Sequence, residues 1–134
     1  MSCPFCTNLS SLELVYSDDV AAVALHDDWA VRGHAMVIAK QHVENLSELA
    51  APDRFMRVYR EAERALLRLT GAGRAIILKL GIATPHLHLH IYPVSAALDR
   101  AAVMDVIDGR AGVARDAAFV AAVRSALDSA LASE

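Results

Sequence analysis

Aromatic residues are scarce in this 134-residue chain. One tryptophan, three tyrosines and three phenylalanines make up 5% of it. A ligand pocket would have few rings for stacking, and the core must rest on Ala, Leu, Val and Ile. No apolar run approaches ~18 residues, so no membrane-spanning helix and no membrane partner are expected. An excess of positive charge is also missing. Thirteen Lys and Arg face sixteen Asp and Glu, for a net charge of −3. That argues against a nucleic-acid partner held by a basic surface, but leaves room for a small anion in a local cluster. The first residues carry no basic stretch followed by an apolar one, so a cytoplasmic location is expected. Cysteine is limited to Cys3 and Cys6. In a reducing compartment this C-x-x-C reads as a metal clip or redox pair more readily than as a structural disulfide.

What is present suffices for one folded domain, spanning 1–134. Hydrophobic residues make up 55% of the chain, charged residues 22%, and the mean hydropathy is +0.33. Global disorder is excluded. Short apolar segments predict strands over Leu12 to Tyr16, Val20 to Leu25, His34 to Lys40, Ala75 to Leu80 and His86 to Tyr92, with Pro93 ending the last. A helix is predicted from Pro52 to Thr70. Its Phe55, Tyr59, Ala62, Leu66 and Leu69 recur at spacings of three and four and mark the buried face. Arg57, Arg60, Arg64 and Arg68 mark a solvated one. Asp99 to Ile107 reads as a short helix, and Asp116 to Leu131 as an amphipathic one with Phe119, Val123, Ala126 and Ala130 inward. The order β-β-β-α-β-β, then helices, predicts an α+β fold. It has an antiparallel sheet, one main helix and additional C-terminal helices.

Three of the six histidines fall in His86-Leu87-His88-Leu89-His90-Ile91-Tyr92. On a strand, alternate side chains share a face, ~6.6–6.8 Å apart at Cα. Leu87, Leu89 and Ile91 then feed the core. A row of three imidazoles is hard to explain by packing, because each needs hydrogen-bond partners when buried. Two chemistries fit: a metal held by imidazoles two residues apart, or one imidazole attacking an electrophile while others stabilise charge.

This stretch resembles the H-φ-H-φ-H-φ-φ signature of the histidine-triad (HIT) family, where φ is apolar. Upstream, Gly33-His34-Ala35-Met36-Val37-Ile38-Ala39-Lys40-Gln41-His42 is similar to that family's G-H-x-x-V-I-P-K-x-H strand, with Ala39 in place of its Pro. Cys3-Pro4-Phe5-Cys6 resembles the zinc-bearing members. The resemblance covers about 3–93, leaving 94–134 as a helical extension it does not explain.

The resemblance implies a nucleotide hydrolase or nucleotidyl transferase, of the phosphoramidase or dinucleoside polyphosphate hydrolase class. It would work at the α-phosphate through a nucleotidyl-histidine. His88 is then the nucleophile, with its tautomer fixed by the carbonyl of His86, and His34 and His90 stabilise the phosphate. One structural Zn2+ per chain is implied at Cys3, Cys6, His42 and His86. Asp27, or Asp28 beside it, would bind the ribose. Leu25 and Trp29 would contact the base, and Thr84 the phosphate. The implied partners are a purine nucleotide or nucleotide conjugate and a second copy in a homodimer, with the 52–70 helix as a candidate contact.

Two departures stand out. The Asn and Gly-Gln-Ser stretch that many members carry before the triad is replaced by Leu80-Gly81-Ile82-Ala83-Thr84-Pro85, where Lys79 could supply charge. The usual Arg after the triad proline is Val94. A zinc-stabilised nucleotide-binding module with little turnover, and a metal-dependent hydrolase with zinc on His88 and His90, are the rival readings.

Overall fold

The β1 and β2 strands, Glu13–Ser17 and Ala21–Leu25, form a hairpin held at its turn by one side chain. Asp18 Oδ1 accepts from the backbone N–H groups of Val20 and Ala21 at 2.7 and 2.8 Å. A short acceptor that bonds the backbone ahead of it is the usual device for such a turn. β3 is Ala35–Ala39, β4 is Arg74–Leu78 and β5 is His88–Val94. All neighbours pair antiparallel in the order β1-β2-β3-β5-β4. The structure is a computed structural model and describes residues 3–26, 29–109 and 112–132. This is the expected α+β architecture.

The described residues also form four α-helices, α1 Pro4–Thr7, α2 Pro52–Thr70, α3 Arg100–Ile107 and α4 Ala117–Leu131. α2 begins with Pro52 and Asp53 and ends on Gly71 at φ 72°, whose N–H bonds Leu67 O at 3.0 Å. These are the start and stop signals expected of proline and glycine. Phe55, Tyr59, Ala62 and Leu66 are buried as the periodicity predicts, whereas Leu69 at the helix end is only half-buried. Arg60, Arg64 and Arg68 are exposed, but the first two also bracket buried Glu61, each at 3.3 Å. That buried carboxylate is compensated from both sides.

The main core lies between the sheet and the pair α2 and α4. Val23, Leu25, Val37, Leu89 and Ile91 come from the sheet, Leu87 from the residue just before β5, and Phe119, Val123 and Leu127 from α4. The segment after the triad is therefore built into the core. Arg32 bonds Asp116 at 3.2 Å, and its guanidinium stands 4.5 Å from the Phe119 ring. Ala126 and Ala130 are half-buried, and the inward stripe is completed by Val120 and Leu131.

Pro93 lies inside β5, opposite Ala75, and does not end the strand. β3 pairs only as far as Ile91. At Pro93 the strand has one neighbour, the position where a residue without N–H is tolerated. At the other end, regular β5 starts at His88, two residues later than expected. Leu87 still bonds Val43 O and Ala39 N, at 2.7 and 3.0 Å. His86 thus leaves the ladder beside the loop that carries His42.

Candidate active site and metal centre

The opposite face of the sheet carries the histidines. Cross-strand pairing sets Ile38 against His88 and Met36 against His90. Ala24, Met36 and Ile38 pack under Phe5, Leu9, Leu12 and Leu14 of the N-terminal segment. Further along, Tyr92 and Val94 pack under Val103, Val106 and Ile107 of α3. The histidine row lies between these two small clusters.

His88 Nδ1 is 2.7 Å from the carbonyl oxygen of His86. A carbonyl only accepts, so Nδ1 carries the proton and Nε2 keeps the lone pair in the neutral ring. Burial lowers the His88 pKa most, against the opposing effect of that hydrogen bond, and its neighbours His86, Lys79 and His26 lower it further. The ring is thereby held neutral and nucleophilic. His90 is pushed down to about 4, by burial first and then by His88 and His26. It offers a neutral N–H rather than a full charge.

His34 is buried, and its Nε2 lies 3.0 Å from His90 Nδ1. The turn before it depends on Gly33 at φ 87°. A Cβ there would meet Thr70 Cγ2 at 3.2 Å and Phe119 Cζ at 3.3 Å. Glycine is needed both for the backbone conformation and for the close approach. The structure brings His34, His88 and His90 together, with the His90 ring centroid 5.2 Å from each of the other two.

Beside them, Cys3, Cys6, His42 and His86 gather their donor atoms within 4.8 Å of one another. Pro4 starts the single turn α1, and the Cys6 N–H bonds Cys3 O at 3.0 Å, turning both thiols to one side. His86 Nδ1 lies 3.3 Å from Cys3 Sγ, 3.5 Å from Cys6 Sγ and 3.0 Å from His42 Nδ1. Tetrahedral bonds of ~2.0–2.3 Å place donors ~3.3–3.8 Å apart, close to this spacing. His86 Nε2–H donates to Ala39 O at 2.6 Å, which leaves Nδ1 free to ligate. The donor set fits a metal.

The family model described as the HIT domain matches residues 10–96. The chain belongs to the HIT family. Its members are generally nucleotide-binding hydrolases and transferases. A hypothetical histidine triad nucleotide-binding protein of Sulfolobus tokodaii strain7 is similar at TM-score 0.66 and 18% identity, over 98% of this chain and 93% of that one. A histidine triad protein of Bradyrhizobium japonicum gives TM-score 0.67 and 19% identity, over 93% and 95%. A Streptococcus mutans UA159 protein gives TM-score 0.61 and 27% identity, over 73% and 70%.

Not every expected residue of this HIT protein faces the site. Leu25 and Trp29 are 0% and 2% exposed in the main core, on the helix side of the sheet, with Trp29 edge-on to Phe119. They offer no surface to a base, contrary to the expectation from sequence. Odd and even positions of β2 face opposite ways, and Leu25 falls on the core side. Asp27, the expected ribose ligand, lies outside the described residues, as does Asp28. Thr84 lines a cavity with His88 and His90.

His26 joins this histidine cluster although the sequence pattern did not single it out. Its ring stacks on His34 at 4.4 Å and 7°. The β2–β3 register, with Leu25 opposite Ala35, places His26 opposite His34. Following that hairpin register one step outward would have found it. The donors of His26, His34 and His90 lie close enough to suggest a second metal. Ring lone pairs lie in the ring plane, however, and two parallel stacked rings cannot aim both at one ion. We read this group as a stack, closed on the far side by Tyr92 at 4.2 Å from His34. No described residue of the HIT protein lies in a helix long and apolar enough to cross a membrane.

Proposed function

We propose that this HIT protein is a hydrolase or nucleotidyl transferase acting at the α-phosphate of a purine nucleotide or nucleotide conjugate. The observation that carries this reading is the His88–His86 hydrogen bond at 2.7 Å. It leaves Nε2 of His88 as the one ring atom able to attack. Nε2 bonds to phosphorus as the leaving group departs, giving a nucleotidyl-histidine. Water then displaces His88, or another acceptor does in the transferase case. His90 donates a hydrogen bond from Nε2–H to a phosphate oxygen as negative charge develops, while His34 Nε2–H donates to His90 Nδ1 at 3.0 Å and holds that ring in place, and Thr84 adds a hydroxyl. Asp27 is the proposed ribose ligand. Replacing His88 by Ala, while measuring turnover and nucleotide binding separately, tests this assignment.

The same reading assigns one structural zinc per chain to Cys3, Cys6, His42 and His86. When bound, zinc supplies a rigid four-coordinate anchor. The chain's own part is to hold His86 so that its carbonyl stays aimed at His88. Reduced thiols suit a cytoplasmic location. We also propose a homodimer. Edge strand β4 leaves Ile77 51% exposed, and α2 leaves Met56 41% exposed, both surfaces that a second copy would cover.

A further inference from the structure

The stretch of chain between α3 and α4 lies against the loop that follows β2. Val113 N–H donates to the Trp29 carbonyl at 2.8 Å. Arg115 Nη1–H donates to the His26 carbonyl, and Nη2 of the same residue pairs with Glu13 at the start of β1. The Arg115 guanidinium also stands 5.2 Å from the centre of the Trp29 ring. This stretch is itself held in place. Asp116 accepts from the Ala118 and Phe119 N–H groups at the start of α4, at 3.0 and 3.3 Å, and from Arg32 at 3.2 Å. His26 and Trp29 are thus fixed by one short piece of chain. Between them in sequence come only Asp27 and Asp28, the candidates for the ribose ligand.

Resting on the reading above, in which Asp27 takes the ribose, we infer that Arg115 is a positioning residue for ribose recognition: it anchors the His26 end of the loop so that the loop is set before a nucleotide arrives. Arg115 needs no contact with the substrate and takes no part in the reaction. A carboxylate that accepts from two neighbouring hydroxyls does so only from a narrow range of directions. A loop fixed in advance loses less freedom on binding, which strengthens the interaction without a new contact. The planar fork of arginine suits this task, because one side chain can meet a carbonyl, a carboxylate and an indole face together, whereas a lysine ammonium is a single point charge. The side chains of Arg115 and Glu13 are 33% and 40% exposed. An ion pair so open to water adds little to stability, so the effect of Arg115 falls on the loop and not on the fold.

The test uses the full chain and two probes, AMP and its 2′,3′-dideoxy analogue, titrated calorimetrically, with urea unfolding of every variant. The wild type should bind AMP at least about tenfold more tightly than the dideoxy probe, the scale of hydrogen bonds to a charged acceptor. Arg115→Met keeps an unbranched stem beside Trp29 and loses the donors. It should weaken AMP by about tenfold and the dideoxy probe by less than about twofold. Arg115→Lys, which keeps the charge, should fall between. In an Asp27→Asn background, Arg115→Met should add less than about twofold, because the group that it positions is gone. Equal losses for the two probes, or an unchanged ratio in Arg115→Met, overturn the inference. An Arg115→Met chain that no longer unfolds cooperatively makes Arg115 a residue of the fold and overturns it as well. A wild type that binds both probes alike but forms the His88 adduct overturns it and leaves the catalytic reading standing. A wild type that binds neither probe and forms no adduct overturns both.

Discussion

The carbonyl of His86 accepts from Nδ1–H of His88, while the imidazole of the same His86 reaches Cys3, Cys6 and His42. One residue therefore joins the nucleophile to the candidate metal centre. Its backbone fixes the tautomer of one ring, and its side chain is fixed by the donors around it and by Ala39 O.

The first prediction concerns the nucleophile. His88→Ala should lose at least about a thousandfold in kcat, the scale on which nucleophile deletions act, with nucleotide affinity changed little. His88→Gly opens space for a free imidazole, and added imidazole should restore part of the rate. Steady-state kinetics and calorimetric nucleotide titration read the two effects separately.

A second prediction concerns metal. Purified protein should contain about one zinc per chain by elemental analysis. Cys3→Ser should lose most of it and lower the melting temperature more than it lowers the chemical rate. Protein free of metal and unchanged in melting temperature would remove zinc from the account.

The pH dependence has a definite sign. The pKa of His88 is lowered, chiefly by burial, so its neutral form persists to a lower pH than in a free histidine. His90 at about 4 stays neutral across the same range. Single-turnover rates should be flat from pH 8 down to the ordinary histidine value of ~6.5 and fall only below it. A midpoint above neutrality would contradict the assigned environment.

Much of this was legible from residue order alone. Alternation placed Leu87, Leu89 and Ile91 in the core and the three histidines opposite, because strand period is a local property. The C-x-x-C, His42 and His86 converge as the family pattern implies. Three features depended on tertiary context. Leu25 was buried because the face of β2 is set by its partners, and Trp29, beyond that strand, because Phe119 of α4 packs against it. His26 entered the site through the hairpin register. The apolar stripe of α4 was legible from its spacing, but the surface that receives it was not, because the sheet and α2 build that surface together.

Stability gives an independent check on the fold. Asp18 accepts from Val20 N, Ala21 N, the Tyr16 hydroxyl at 2.8 Å and Arg54 at 2.9 Å. Burial alone would raise its pKa. The four donors outweigh that and hold it below the usual carboxylate range. A depressed carboxylate pKa gives stability that is complete above the unfolded value of ~3.9 and lost as pH falls through the folded one. Asp18→Ala should cost about 2 kcal/mol at neutral pH, measured by urea unfolding, and the deficit should shrink below pH 4.

The most direct measurement is rapid quench of the protein with a purine nucleotide conjugate, followed by intact-mass and peptide mass spectrometry under neutral denaturing conditions. The account predicts a nucleoside monophosphate adduct, located on His88, that appears before product and is absent from His88→Ala. Substrate turnover with no adduct in a time course that resolves the first turnover, or an adduct located on His34 or His90, would contradict it.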